Sequence, residues 1–238
     1  MLGYIALFVL NVLMSPFLKK KGVLFCGLFG FSGDEKPNLA KLKILGIKNE
    51  KRGTDSCGVY YNNTLTKGVY ANKVFSDFLE TTMIDASINP EQNVFIGHTR
   101  WSTVGANTAL NAHPFLLNDN HIFAHNGTID NIDDLLKKYD VDKVENKIEV
   151  DSQGLGLLFI NNGRSILEEY RGYAAFLYHD RVDKDALWIF KGASKKHELG
   201  QVMEERPLFY AIHREGIYFS SLADSLKIIK DGPNQDPI

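Results

Sequence analysis

The sequence predicts an α+β layered fold, because apolar β-rich runs bounded by Gly, Asn or Asp alternate with a few helical stretches and end in two hairpins. At 238 residues the chain is long enough to bury one sizeable core. No repeat, low-complexity tract or Pro-rich linker follows Lys21, so these elements belong to one domain.

The early strands are expected at Cys26–Phe31, Gly58–Tyr61, Gly68–Ala71, Val94–His98 and Ile122–His125. The hairpins pair Ala174–Tyr178 with Leu187–Phe190 and Leu208–His213 with Gly216–Ser220. Leu39, Leu42, Leu45 and Ile47 lie on one helical face between Pro37 and Gly53. Ile132, Leu135 and Leu136 mark a short helix after Asp130, the expected N-cap. A third helix begins near Asp151, carries Leu155, Leu157, Leu158 and Ile160, and ends at Asn162-Gly163. The last helix covers about Leu222 to Ile229.

Hydrophobic residues at 44% and charged residues at 24% are ordinary for a globular domain. With 27 basic and 29 acidic side chains there is no excess of cations to neutralise phosphates, so no nucleic-acid partner is expected. The two cysteines, Cys26 and Cys57, make neither a disulfide framework nor a zinc spacing, which fits a reduced, cytoplasmic setting. His98, His113, His121 and His125 include no pair at helical i, i+4 spacing beside a carboxylate, so no metal is expected; no cofactor is expected either.

Residues 1–25 read differently. Leu2 to Leu18 is nearly all apolar, and Lys19, Lys20 and Lys21 follow it. A secretory signal carries its positive charge before the apolar run. A membrane anchor needs roughly 20 apolar residues, slightly more than are present. The segment is therefore read as a removable leader, propeptide or mis-called extension ahead of a domain at 26–238. Membrane contact through residues 1–18, with the chain anchored there, is the alternative.

Five short segments could carry chemistry. Cys26-Gly27-Leu28-Phe29-Gly30 places a thiol at the head of a strand; alone, such a cysteine is usually a small buried hydrophobe. Arg52-Gly53-Thr54-Asp55-Ser56-Cys57-Gly58 reads as a helix end with a local ion pair, or as a loop that scaffolds a site. Gly97-His98-Thr99-Arg100-Trp101-Ser102-Thr103 puts a rigid carboxylate fork beside an aromatic ring at a strand end. Asn111-Ala112-His113-Pro114 follows. In His125-Asn126-Gly127-Thr128-Ile129, Asn-Gly is a hairpin signal, but an Asn side chain beside a Gly N–H also makes a workable oxyanion hole.

In this set and order the segments resemble the class II, N-terminal-nucleophile glutamine amidotransferases, over Cys26 to about Ile229. C-G-L-F-G looks like the mature N-terminus of that family. The R-G-T-D-S-C-G, G-H-T-R-W-S-T, N-A-H-P and H-N-G-T-I-D-N segments look most like the glutaminase half of glucosamine-6-phosphate synthase. R-P-L-F-Y is also similar to the asparagine synthetase and amidophosphoribosyltransferase branches.

The resemblance implies a four-layer αββα fold with two antiparallel sheets, and L-glutamine as substrate. It implies that Cys26 attacks the side-chain amide with its own α-amino group as base. An α-amino group titrates near 7.7–8.0 and a thiol near about 8.5, so both exchange protons near neutral pH. By the same resemblance Asn126 and the Gly127 N–H hold the oxyanion, Arg100 the α-carboxylate and Asp151 the α-ammonium. Trp101, Thr103 and His113 match pocket positions, and Arg52 and Asp55 match scaffold positions.

The chain departs from the family pattern twice. The α-amino group of Cys26 is tied up in a peptide bond to Phe25, so a propeptide ending before Cys26 is expected. These 238 residues hold no synthase domain, so the expected ammonia acceptor is water, a separate synthase subunit or an enzyme lost from this sequence. Two alternatives stay open: an unprocessed, non-catalytic glutamine-binding or regulatory domain, and an amidase acting on another γ-glutamyl compound.

Overall fold

The computed structural model describes residues 7–9, 26–84, 93–101, 108–182, 186–193 and 206–229. The first half contains β1 (Leu7–Val9), β2 (Gly27–Ser32), α1 (Leu39–Asn49), β3 (Ser56–Tyr61), β4 (Thr64–Gly68), α2 (Ala71–Ile84) and β5 (Val94–Arg100). Next come β6 (Phe115–Leu117), β7 (His121–Ile129), α3 (Ile132–Lys138), α4 (Asp151–Asn162) and the single-turn α5 (Ile166–Glu169). The chain continues through β8 (Gly172–Asp180), β9 (Leu187–Ala193), β10 (Phe209–His213) and β11 (Gly216–Ser220), and a 3-10 helix covers Ala223–Ile229.

The strands form two sheets. One, ordered β10-β11-β2-β5-β3-β4, is antiparallel throughout. The other, ordered β1-β9-β8-β7-β6, is antiparallel except at its edge, where β1 runs parallel to β9 with Leu7 opposite Ile189.

Side-chain alternation assigns the layers. Leu28 and Ile96 of the first sheet and Ile122, Ala124, Ala175 and Leu177 of the second pack together between the sheets. Their strand neighbours face the other way. Phe29, Phe31 and Phe95 pack with Leu42 and Leu45 of α1 and Val74, Phe75 and Phe78 of α2. Phe123 and Phe176 pack with Leu135 and Leu136 of α3 and Leu155 and Leu158 of α4. Helices outside two stacked sheets make the four-layer αββα arrangement.

Three local expectations need correction. Gly68–Ala71 is not a strand: β4 ends at Gly68, and Ala71 opens α2. Val69 and Tyr70, whose β-rich character suggested a strand, are exposed, and burial passes to Ala71, Val74, Phe75 and Phe78 at helical spacing. Asp130 does not cap α3; Asn131 stands at that position, and the Asp130 N–H instead donates to the Arg171 carbonyl at 2.8 Å. The last helix is of 3-10 type. α1 forms where expected, capped by the Asn38 side chain accepting from the Lys41 N–H at 3.1 Å, but Ile47, expected on its apolar face, is exposed. β1 falls within the apolar segment read as a leader. No helix among the described residues is long and apolar enough to cross a membrane.

Candidate active site

Strand register places the chemistry at one end of the inter-sheet layer. Gly27 pairs with Thr99, so Cys26 lies one step on, beside Arg100, while Ser56 pairs with Arg100 from the other side. Alternation puts Cys26 in phase with Leu28, Arg100 with Ile96, and Asn126 with Ile122 and Ala124. The first sheet thus presents the thiol and guanidinium towards the strand that carries Asn126-Gly127.

A cleft of about 300 Å³, partly open to solvent, is lined by Cys26, Arg100, Trp101, His113, His125, Gly127, Val150, Asp151 and Ser152. Six of the ten expected site residues meet there. Asn126 is buried beside them, and its Nδ2 has no hydrogen-bond partner among the described residues, leaving a donor in reserve. Thr103 lies outside the described residues.

Arg52 and Asp55 serve the backbone beneath the cleft. The Arg52 Nε–H donates to the Cys26 carbonyl at 2.9 Å, and the Asp55 N–H donates to the Arg100 carbonyl at 3.0 Å. Gly53 permits this packing, since a Cβ there would sit 2.3 Å from the Arg100 carbonyl carbon and 2.5 Å from the Trp101 nitrogen. Gly127 is equally constrained: a Cβ would lie 2.0 Å from the Tyr173 carbonyl oxygen on β8.

Asp151 is the first residue of α4, where a carboxylate also favours the positive end of the helix. Its Oδ2 accepts from the Ile129 N–H at 3.0 Å, which ties the helix to the end of β7. Gln153 steadies the same turn by accepting from the Glu149 and Val150 N–H groups at 2.8 and 3.1 Å.

The electrostatics are mixed. Burial pushes the Cys26 thiol up, while the Trp101 backbone and the Arg100, Arg206 and Arg52 guanidiniums pull it down; the net direction is upward. Burial lowers Arg100, and Cys26, Asp55 and Asp151 counter that. His98 is lowered to about 3 by burial, and burial also lowers His113 and His125, so all three rings are neutral at pH 7. The His98 and His113 ring centres lie 4.2 Å apart with the planes tilted by 34°, and His98 Nε2 lies 3.1 Å from the His125 carbonyl. Among the described residues, no group of His, Cys, Asp and Glu is placed to hold a metal ion.

Sequence reasoning missed His125, Ser152 and Arg206 as site residues. His125 and Ser152 adjoin Asn126 and Asp151, a signal that was available. Arg206, of the R-P-L-F-Y segment, stacks its guanidinium 4.1 Å from the Tyr173 ring centre. Cys57 is separate: it packs on the helix-facing side with Val59 and Phe95.

The layered fold matches solved amidotransferases. Glutamine phosphoribosylpyrophosphate amidotransferase from B. subtilis superposes with a TM-score of 0.55 at 20% identity, covering 86% of this chain and 43% of that one. A structure described as the allosteric regulatory enzyme of purine biosynthesis gives 0.57 at 21% identity, with the same coverage. The fold is therefore the two-sheet, four-layer architecture shared with these enzymes.

The model of the glutamine amidotransferase domain matches residues 85–235, and the chain belongs to that family, in its class II branch. Curated relatives include glutamine–fructose-6-phosphate aminotransferases. That of Lactiplantibacillus plantarum is 32% identical over 183 residues, and that of Bacillus licheniformis 31% over 180. Each alignment covers 71% of this chain, and the chain spans 29% of the length of these relatives.

Proposed function

We propose that the domain hydrolyses L-glutamine to glutamate and ammonia, with Cys26 as nucleophile once residues 1–25 are removed. The observation that supports this best is the convergence of a thiol, a guanidinium and a carboxylate on one cleft, Cys26, Arg100 and Asp151. A guanidinium and a carboxylate are complementary to the opposite charges of an α-amino acid. Cys26 Sγ attacks the side-chain amide carbon as the freed α-amino group takes the thiol proton, and that proton then goes to the departing ammonia. Asn126 Nδ2 and the Gly127 N–H hold the oxyanion, and water releases glutamate from the thioester. His113 and Trp101 wall the substrate, with Thr103 assigned to the same pocket by resemblance.

The ammonia passes to water or to a synthase partner supplied in trans. The names of the relatives make a sugar phosphate one acceptor to test. With Phe25 still attached, Cys26 lacks its base, and the same cleft binds glutamine without turning it over. Glutamate release measured with fructose-6-phosphate and with buffer alone, in extracts and with purified protein, tests hydrolysis and acceptor together. Absence of glutamate from a folded chain with a free Cys26 contradicts the proposal.

A further inference from the structure

We infer that Ser152 is a positioning residue for the substrate's α-amino group, joining Asp151 and His125 into one buried network; this rests on the glutamine reading above. Ser152 is the second residue of α4 and is buried. Its Oγ lies 2.9 Å from His125 Nδ1 and donates to Asp151 Oδ1 at 3.3 Å. The other oxygen of Asp151 accepts from the Ile129 N–H at 3.0 Å. The carboxylate is therefore held at both oxygens, which fixes its plane. It offers about four lone-pair sites, two of them used, which leaves acceptor capacity for an ammonium.

The network also reaches the oxyanion strand. His125 immediately precedes Asn126-Gly127 on β7, and its Nε2 lies 2.6 Å from where a Gly127 Cβ would sit. One hydroxyl thus ties the start of α4, which carries the anion, to the strand that carries the oxyanion donors. Asp151 and Gly127 belong to separate elements, and this contact is a second tie between α4 and β7, beside the one from Asp151 to the Ile129 N–H. Removing the hydroxyl frees one carboxylate oxygen and leaves a buried ring nitrogen short of a partner.

The test is calorimetric binding of L-glutamine and of 4-carbamoylbutanoate, the same molecule without its α-amino group, to the full chain. Binding needs no free Cys26, so failure of hydrolysis does not obscure the result. Ser152→Ala is expected to cut the preference for L-glutamine about tenfold, through weaker L-glutamine binding with little change for the analogue. Ser152→Thr, which keeps the hydroxyl, is expected to restore most of the preference. Equal weakening of both ligands, or no change in the ratio, overturns the inference. Asp151→Asn is the control. If it removes the preference and Ser152→Ala does not, only the role of Ser152 falls. If it leaves the preference intact, the ammonium site falls and this inference with it.

Discussion

Trp101 meets the Cys26 sulfur through both of its backbone polar groups: its N–H donates to Sγ at 3.3 Å, and the thiol donates to its carbonyl at 3.4 Å. The side chain that would react is thus held by main chain at the end of β5, beside Arg100. Burial nevertheless outweighs these contacts and keeps the thiol above its ordinary value. A thiol in that state needs a base close by, and its own α-amino group is the nearest candidate once freed.

That balance predicts the alkylation profile of the intact chain. Iodoacetamide modification of Cys26 should still be climbing at pH 9, because the thiolate fraction grows only as pH approaches the raised value. Cys57, buried against Phe95 and raised by burial, should stay unmodified while the protein is folded. A plateau below pH 8, followed by peptide mass mapping at Cys26, would contradict the first expectation.

Asn126→Ala should leave glutamine binding near its normal strength and lower kcat about 100- to 1,000-fold, the usual cost of one oxyanion donor. Steady-state kinetics on the active form check this. A loss confined to KM assigns Asn126 to ground-state binding instead.

Cys26→Ala and Arg100→Ala should separate chemistry from recognition. The first should abolish hydrolysis with little change in thermal unfolding. The second should raise KM for glutamine at least about tenfold, since a charged hydrogen bond contributes about 1.5–3 kcal/mol. Normal turnover by either variant removes the corresponding role.

Stability should fall on acidification. His98 titrates at about 3 in the folded chain because burial disfavours its charged form. In the unfolded chain its value is about 6.5. Below that pH the unfolded state binds a proton that the native state refuses, so stability falls by up to about 1.4 kcal/mol per pH unit. The loss runs from the unfolded value down to the folded one. Denaturant unfolding from pH 6.5 to 4.5 should show a shallower slope for His98→Gln, with His113 and His125 supplying the remainder. An unchanged slope contradicts this reading of His98.

Much of the fold was legible because the sheets alternate cleanly: Leu28 against Phe29, and Ile122 against Phe123, point to opposite layers. α2 was not, because Val69 and Tyr70 look like strand residues although they lie exposed at its entrance. Cys26, Arg100 and Gly127 were legible through their local segments. The Ser152–His125 contact was not, since it joins residues 27 apart and depends on how α4 docks against β7. The strand at Leu7–Val9 was equally hidden, because an apolar run carries no record of which sheet edge it joins.

The most direct test of the central claim is glutamate release by the full chain compared with a chain that begins at a free Cys26. The account predicts turnover only in the second, lost again on Cys26→Ala. Robust hydrolysis by the full chain, with Met1 still present by N-terminal sequencing, would contradict it.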